Sequence, residues 1–137
     1  MKRDYTLSQE LRMNQQSLPG GGWVLSPQGA IDSNTSEQFN SRIQSVLEAK
    51  SPKQDLLLDM SGVKYISSIG LGALIQLLKR SRQQSSAFAL YDPQLAVRRV
   101  LEISKLDFLL VNPADTAALG PFSDYVLSKE AKRPKPR

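Results

Sequence analysis

The sequence predicts an α/β fold in which a mixed, mostly parallel sheet of about five strands carries packed helices. Three observations lead there. Residues 55–78, DLLLDMSGVKYISSIGLGALIQLL, pass from a continuous apolar run to a helical period. Leu56, Leu57 and Leu58, closed by Asp59, suit a strand buried on both faces, whereas Leu71, Leu74, Ile75 and Leu78 fall at i, i+3, i+4 and i+7. The same succession of strand and helix returns at 87–104, and such alternation needs crossover connections between parallel strands. A glycine-rich turn between two short apolar stretches at the start makes the sheet mixed.

In chain order, Tyr5, Leu7, Leu11 and Met13 hint at alternation, which predicts a first strand within 5–18. Pro19-Gly-Gly-Gly22 is a turn by composition, and Trp23, Val24 and Leu25 begin a second strand. Pro27 should confine that strand to an edge or end it near Ser26. Asn34 with Glu37 approximates a capping box, and Phe39, Ile43, Val46 and Leu47 carry a helix to about Ala49, stopped by Ser51-Pro52. The central strand ends at Asp59. A turn at Ser61-Gly62 then leads through Val63, Tyr65 and Ile66 to the hydroxyl pair Ser67 and Ser68, where the next helix begins.

Residues 87–91 read as another buried strand, and Asp92-Pro93 as a helix start, with the carboxylate as cap and proline at the first helical position. Val97, Val100, Leu101 and Ser104 mark that helix's inner face. Residues 108–111 read as a further strand, and a last helix is expected from Asp115, broken at Gly120-Pro121.

The 137 residues suit one domain, assigned to 1–127. No apolar run approaches the ~20 residues needed to span a bilayer. With no cysteine and no apolar segment behind the basic N-terminus, the expected location is cytoplasmic. The absence of Cys and His excludes a thiolate nucleophile, a Ser-His-Asp triad and a typical zinc site. Most of the net charge of +5 sits in 129–137, which holds five basic side chains and one acidic. The segment 128–137 is therefore expected to be a disordered basic tail. Its simplest role is to solubilise, the alternative being contact with anionic lipid or nucleic acid.

Three features carry candidate chemistry. Gly70 and Gly72 each cost about 1 kcal/mol in a helix, so each needs a reason: close approach to the sheet, or a bare surface for a partner. Asp59, at a strand's C-terminal end, is either a carboxylate binding turn amides or the phosphoacceptor of an Mg²⁺-dependent receiver domain. Ser68 either caps the helix beginning at Ile69, in competition with Ser67, or presents its hydroxyl where amides and helix dipole favour a phosphate.

Across residues 5–119 the chain resembles the STAS domain of bacterial anti-sigma-factor antagonists. The resemblance is carried by GAID at 29–32, DMSGVKYISSIGLG at 59–72, and DPQLAVRRVL at 92–101 followed by SKLD at 104–107. It implies a regulatory module without catalytic residues, metal or cofactor, because ATP would be bound by the partner. That partner would be an anti-sigma factor or a switch serine kinase, with a PP2C-type phosphatase reversing the modification. No direct DNA binding is implied. Ser68 matches the phosphoacceptor, with Ser67 as alternative. The partner surface would comprise Asp32, Ser67, Ser68, Ile69, Gly70, Leu71 and Gly72. The chain departs from the common pattern at two positions: Ser67 stands where many members have Asp, and Ile69 where many have a small residue.

Overall fold

The computed structural model describes residues 11–51 and 53–134. Strand β1, Arg12–Ser17, pairs antiparallel with β2, Trp23–Ile31. The turn between them is closed by the Leu18 amide donating to the Gly22 carbonyl at 2.9 Å. Gly21 and Gly22 take φ of 95° and 90° there, a region that costs L side chains energy but is open to glycine.

Beyond β2 the sheet is parallel. Strand β3, Leu56–Asp59, pairs with β2 on one side and with β5, Phe88–Tyr91, on the other. The apolar run at 56–58 is thus interior, as its lack of alternation requires. Val63–Ile66 forms its own strand, β4, parallel to the end of β2. Four residues, with only Val63 and Ile66 buried, are too few to display a period-two pattern.

Two expectations about strands change. Strand β2 continues through Pro27 to Ile31 and lies between β1 and its parallel partners. Pro27 is tolerated because it falls between the stretch paired with β3, which ends at Leu25, and the stretch paired with β4, which begins at Gly29. The strand expected at 108–111 is instead a 3₁₀ turn, Asp107–Leu109, followed by a single bridge from Leu110 to Leu90. Leu106 and Leu109 are both buried while Phe108 is exposed, and a three-residue spacing is that of one 3₁₀ turn.

Helices α1, Ser36–Ala49, and α2, Ser68–Gln83, pack on one side of the sheet with α3, Leu95–Ile103. Their buried side chains meet Leu25, Leu56 and Leu58 in the larger core. Leu57, between the last two, points to the opposite face with Val24 and Tyr91. That face is covered by Leu119 of the short α4, Thr116–Leu119, by Phe122, and by Val126 of α5, Ser123–Ala131.

Two caps also differ from expectation. Thr35 takes the N-cap position of α1 without a side-chain cap bond, and its hydroxyl donates to the Ala30 carbonyl at 2.7 Å. Asp32 does the local work, accepting the Asn34 amide at 2.9 Å. Asp92 has φ of 59° and does not cap α3, whose N-cap is Gln94. Its carboxylate pairs with Arg133 at 2.9 Å. The segment expected to be a disordered tail begins inside α5, and Lys129, Glu130 and Arg133 are all engaged. Residues 135–137 lie outside the described residues, as does the part of the first expected strand before Leu11.

Candidate partner-binding site

The site is built where β4 hands over to α2. Ser67 is extended, with φ of −90° and ψ of 176°, and its amide donates to the Ile31 carbonyl at 2.9 Å. That bond ties the start of α2 to the end of β2, and Asp32 follows directly. Asp32 and residues 67–72 therefore lie at one end of the sheet, as parallel β2 and β4 require.

Ser67, not Ser68, is the helix cap. Its Oγ accepts the Gly70 amide at 3.3 Å, and its carbonyl accepts the Leu71 amide at 2.9 Å. Ser68 becomes the first helical residue and is exposed. Its amide and that of Ile69 have no intrahelical acceptor by position, and no acidic residue stands in the first turn. The positive end of the helix dipole adds to this, so an anion on the Ser68 hydroxyl would meet a favourable field.

The remaining members of the predicted surface divide by exposure. Ile69 is 50% exposed, an apolar side chain in water at the mouth of the site. Leu71 is partly buried against the larger core. Gly70 is buried, and a Cβ there would lie 2.9 Å from the Ile31 carbonyl oxygen and 2.7 Å from Ile66 Cγ1. Close approach is its reason. At Gly72 a Cβ would meet nothing within 4 Å, so that glycine leaves an open surface. Asp32 is half-buried, with Oδ1 already accepting the amides of Asn34 and Thr35.

Asp59 belongs to a different arrangement. It is 1% exposed, and Oδ1 accepts the Ser61 amide at 3.0 Å. Oδ2 accepts the Tyr125 hydroxyl at 2.5 Å and faces Lys129 Nζ at 3.5 Å. Burial, then the bond to Asp59, pushes the Tyr125 hydroxyl up to about 12. A receiver aspartate must be open to a phosphodonor beside a bound Mg²⁺. Asp59 is enclosed, and among the described residues no group of three acidic, His or Cys side chains is placed to hold a metal. Tyr125 and Lys129 could not be found from sequence, because they lie 66 or more residues from their partner with no shared motif.

One feature next to the site has a sequence signal. A groove of about 500 Å³ runs between α1 and α2, with Ile69, Gly72 and Arg80 along one wall. Gly72, a glycine inside a helix, was its trace in the sequence. Among the described residues no helix is long and apolar enough to cross a membrane.

Comparison with known proteins agrees with this architecture. An anti-sigma factor antagonist from Mycobacterium paratuberculosis is 23% identical, with a TM-score of 0.66 over 87% of this chain and 92% of that one. The anti-sigma factor antagonist SpoIIAA in its unphosphorylated form is 17% identical, with a TM-score of 0.65 over 85% of this chain and 97% of that one. The Bacillus cell fate determinant SpoIIAA in its phosphorylated form gives 15% identity and a TM-score of 0.60, over 79% of this chain and 96% of that one. At these identities the structures establish the shared fold. The family follows from the sequence match over residues 14–119, which span both the sheet and the Ser67–Ser68 handover: the chain belongs to the STAS domain family.

Proposed function

We propose that this protein is an anti-sigma-factor antagonist: a non-enzymatic module of the cytoplasm that binds an anti-sigma factor or switch serine kinase. Reversible phosphorylation of Ser68 controls it, and a PP2C-type phosphatase resets it. The observation that carries this reading is the division of labour between two adjacent hydroxyls. Ser67 caps the helix, which leaves Ser68 exposed at the first helical position with no structural task among the bonds described. The partner surface consists of Ser68, Ile69 and Gly72 with the Asp32 loop, shaped from beneath by Ser67, Gly70 and Leu71. The family, and the solution of SpoIIAA in both phosphorylated and unphosphorylated forms, are consistent with such a switch.

The phosphate adds about −1.5 to −2 charge and three acceptor oxygens. On the free module it faces unpaired amides and the helix dipole, so the fold tolerates it. In a complex it becomes a buried dianion, which is costly without a basic partner. A loss of about 3 kcal/mol weakens binding more than a hundredfold.

The test is affinity purification from the native cell, with mass spectrometry reporting partner and phosphosite together. Ser68→Ala is expected to hold the partner constitutively and Ser68→Asp to hold it weakly. Label that persists in Ser68→Ala but vanishes in Ser67→Ala moves the switch one residue back. Wild-type protein that is never labelled leaves Ser68 without a regulatory role. The receiver alternative at Asp59 is disfavoured, because that carboxylate is enclosed and both its oxygens are engaged.

A further inference from the structure

We propose that the groove between α1 and α2 seats an amphipathic helix of the partner, oriented with acidic residues over the last turns of α2. This rests on the reading of the chain as a partner-binding module and specifies the partner's chemistry. The groove holds about 500 Å³, with a narrow, largely covered apolar floor of Ile43, Leu47, Ala73 and Leu77 between polar walls that include Asn40, Gln44, Gln76 and Arg80. It continues from Ile69, which the fold leaves half in water.

Gly72 gives the strongest indication of what fills it. A glycine inside a helix costs about 1 kcal/mol against alanine. Gly70 has a steric reason within this chain, but Gly72 has none, since its missing Cβ opens onto empty space in the groove wall. Its effect is to let another backbone approach α2 closely. A helix suits that approach better than a strand. Both walls are helices whose backbone groups are already bonded internally, so no unpaired sheet edge is on offer. From Ile69 to Arg80 the wall spans about 17 Å, or three turns, the length over which a helix presents i, i+4 and i+7 side chains.

Charge sets the direction. Helix α2 carries Lys79, Arg80 and Arg82 in its last turns and no acidic residue along its length. Arg80 lines the groove and donates to Gln44 at 2.9 Å across it. The facing end of α1 offers one opposing carboxylate, Glu48, which accepts from Gln44 at 3.0 Å. An acidic flank therefore meets net positive charge at this end. Among the described residues the lining includes no aromatic ring on which a base would stack, which favours a peptide over single-stranded nucleic acid.

The test uses the full chain and two fluorescent amphipathic helical peptides with one apolar face. One carries Glu and the other Lys at the flanking positions. Anisotropy is expected to show the Glu peptide binding at least about tenfold tighter, with affinity falling as salt rises. Amide shifts are expected to cluster at Ile69, Gly72 and Gln76. Gly72→Leu, on an exposed position that leaves the fold intact by circular dichroism, should cost at least about tenfold. Lys79→Glu with Arg80→Glu should invert the peptide preference. Failure of both peptides to bind, no preference between them, or indifference to Gly72→Leu overturns the proposal. So does tighter binding of a single-stranded oligonucleotide, or a concentration-dependent dimer that Gly72→Leu dissolves. None of these readouts involves a kinase, so the Ser68 switch stands or falls separately on phosphosite mapping.

Discussion

The carbonyl oxygen of Ile31 lies 2.9 Å from the place a Cβ on Gly70 would occupy. Backbone cannot retreat from such a contact as a flexible side chain can. Gly70→Ala is therefore expected to lower stability by about 1–3 kcal/mol through overpacking. Gly72→Ala, two residues on and facing open space, is expected to raise it by about 1 kcal/mol. Urea denaturation of the two variants checks both. Equal effects would mean that α2 does not rest on β2 and β4 as described.

The two serines at the start of α2 should separate in the same way. Ser67→Ala removes the acceptor of the Gly70 amide and should cost about 1 kcal/mol. Ser68→Ala touches an exposed side chain and should stay within about 0.5 kcal/mol of wild type. Thermal melts of the pair, without partner or kinase, test the assignment of cap and free hydroxyl. A larger loss in Ser68→Ala would reverse it.

How much of this could be read in advance depends on the range of the signal. The β3–α2 pair is legible because three consecutive leucines and the period from Leu71 to Leu78 are local patterns with a single physical reading. The cap at Ser67 is ambiguous in sequence, since two adjacent hydroxyls compete and only the backbone angles decide. Strand β4 is illegible because four residues with two buried ends carry no period. Residues 108–111 mislead because a continuous apolar run looks alike in a strand and in a 3₁₀ turn followed by one bridge. Asp92 misleads differently: the Asp-Pro pair has the chemistry of a helix start, but Asp92 is turned by its positive φ toward Arg133. The contacts of Asp59 with Tyr125 and Lys129 leave no local trace at all.

Alkaline pH should loosen the attachment of α5. The Tyr125 hydroxyl must be protonated to donate to Asp59, and burial raises it from 10.0 to about 12. A raised value means that its contribution is complete below the ordinary tyrosine range. It is lost as pH climbs from there through about 12. Tyr91, buried and donating to Glu130, is shifted in the same direction. Tyr125→Phe should flatten this part of the pH profile while lowering stability at neutral pH. Thermal melts above pH 9, read beside tyrosinate absorbance, provide the measurement. An unchanged slope in the variant would show that Tyr125 does not couple the helix to Asp59.

The C-terminal elements should be indispensable to the fold, although the family match ends at residue 119. Phe122 and Val126 close the apolar face formed by Val24, Leu57 and Tyr91. Each such side chain contributes about 1.5–3 kcal/mol when buried, so losing the two removes about 3–6 kcal/mol before any polar contact is counted, against a net stability of about 5–15 kcal/mol for a typical domain. Removal would also strip Asp59 of Tyr125 and Lys129, leaving its carboxylate with one turn amide. A chain ending after Leu119 is expected to lose its cooperative melt and to bind a hydrophobic dye such as ANS. Phe122→Ala, which keeps the polar contacts, should melt cooperatively at lower temperature with a loss of about 3–5 kcal/mol. Glu130→Gln tests the polar half alone. Bonds from Arg133 and then Tyr91 hold the Glu130 carboxyl below its ordinary value. Its contribution is therefore complete above that value and lost as pH falls through the lowered one, so the variant should show weaker acid dependence. A truncated chain as stable as wild type would mean that the second face of the sheet does not need the cover that Phe122 and Val126 provide.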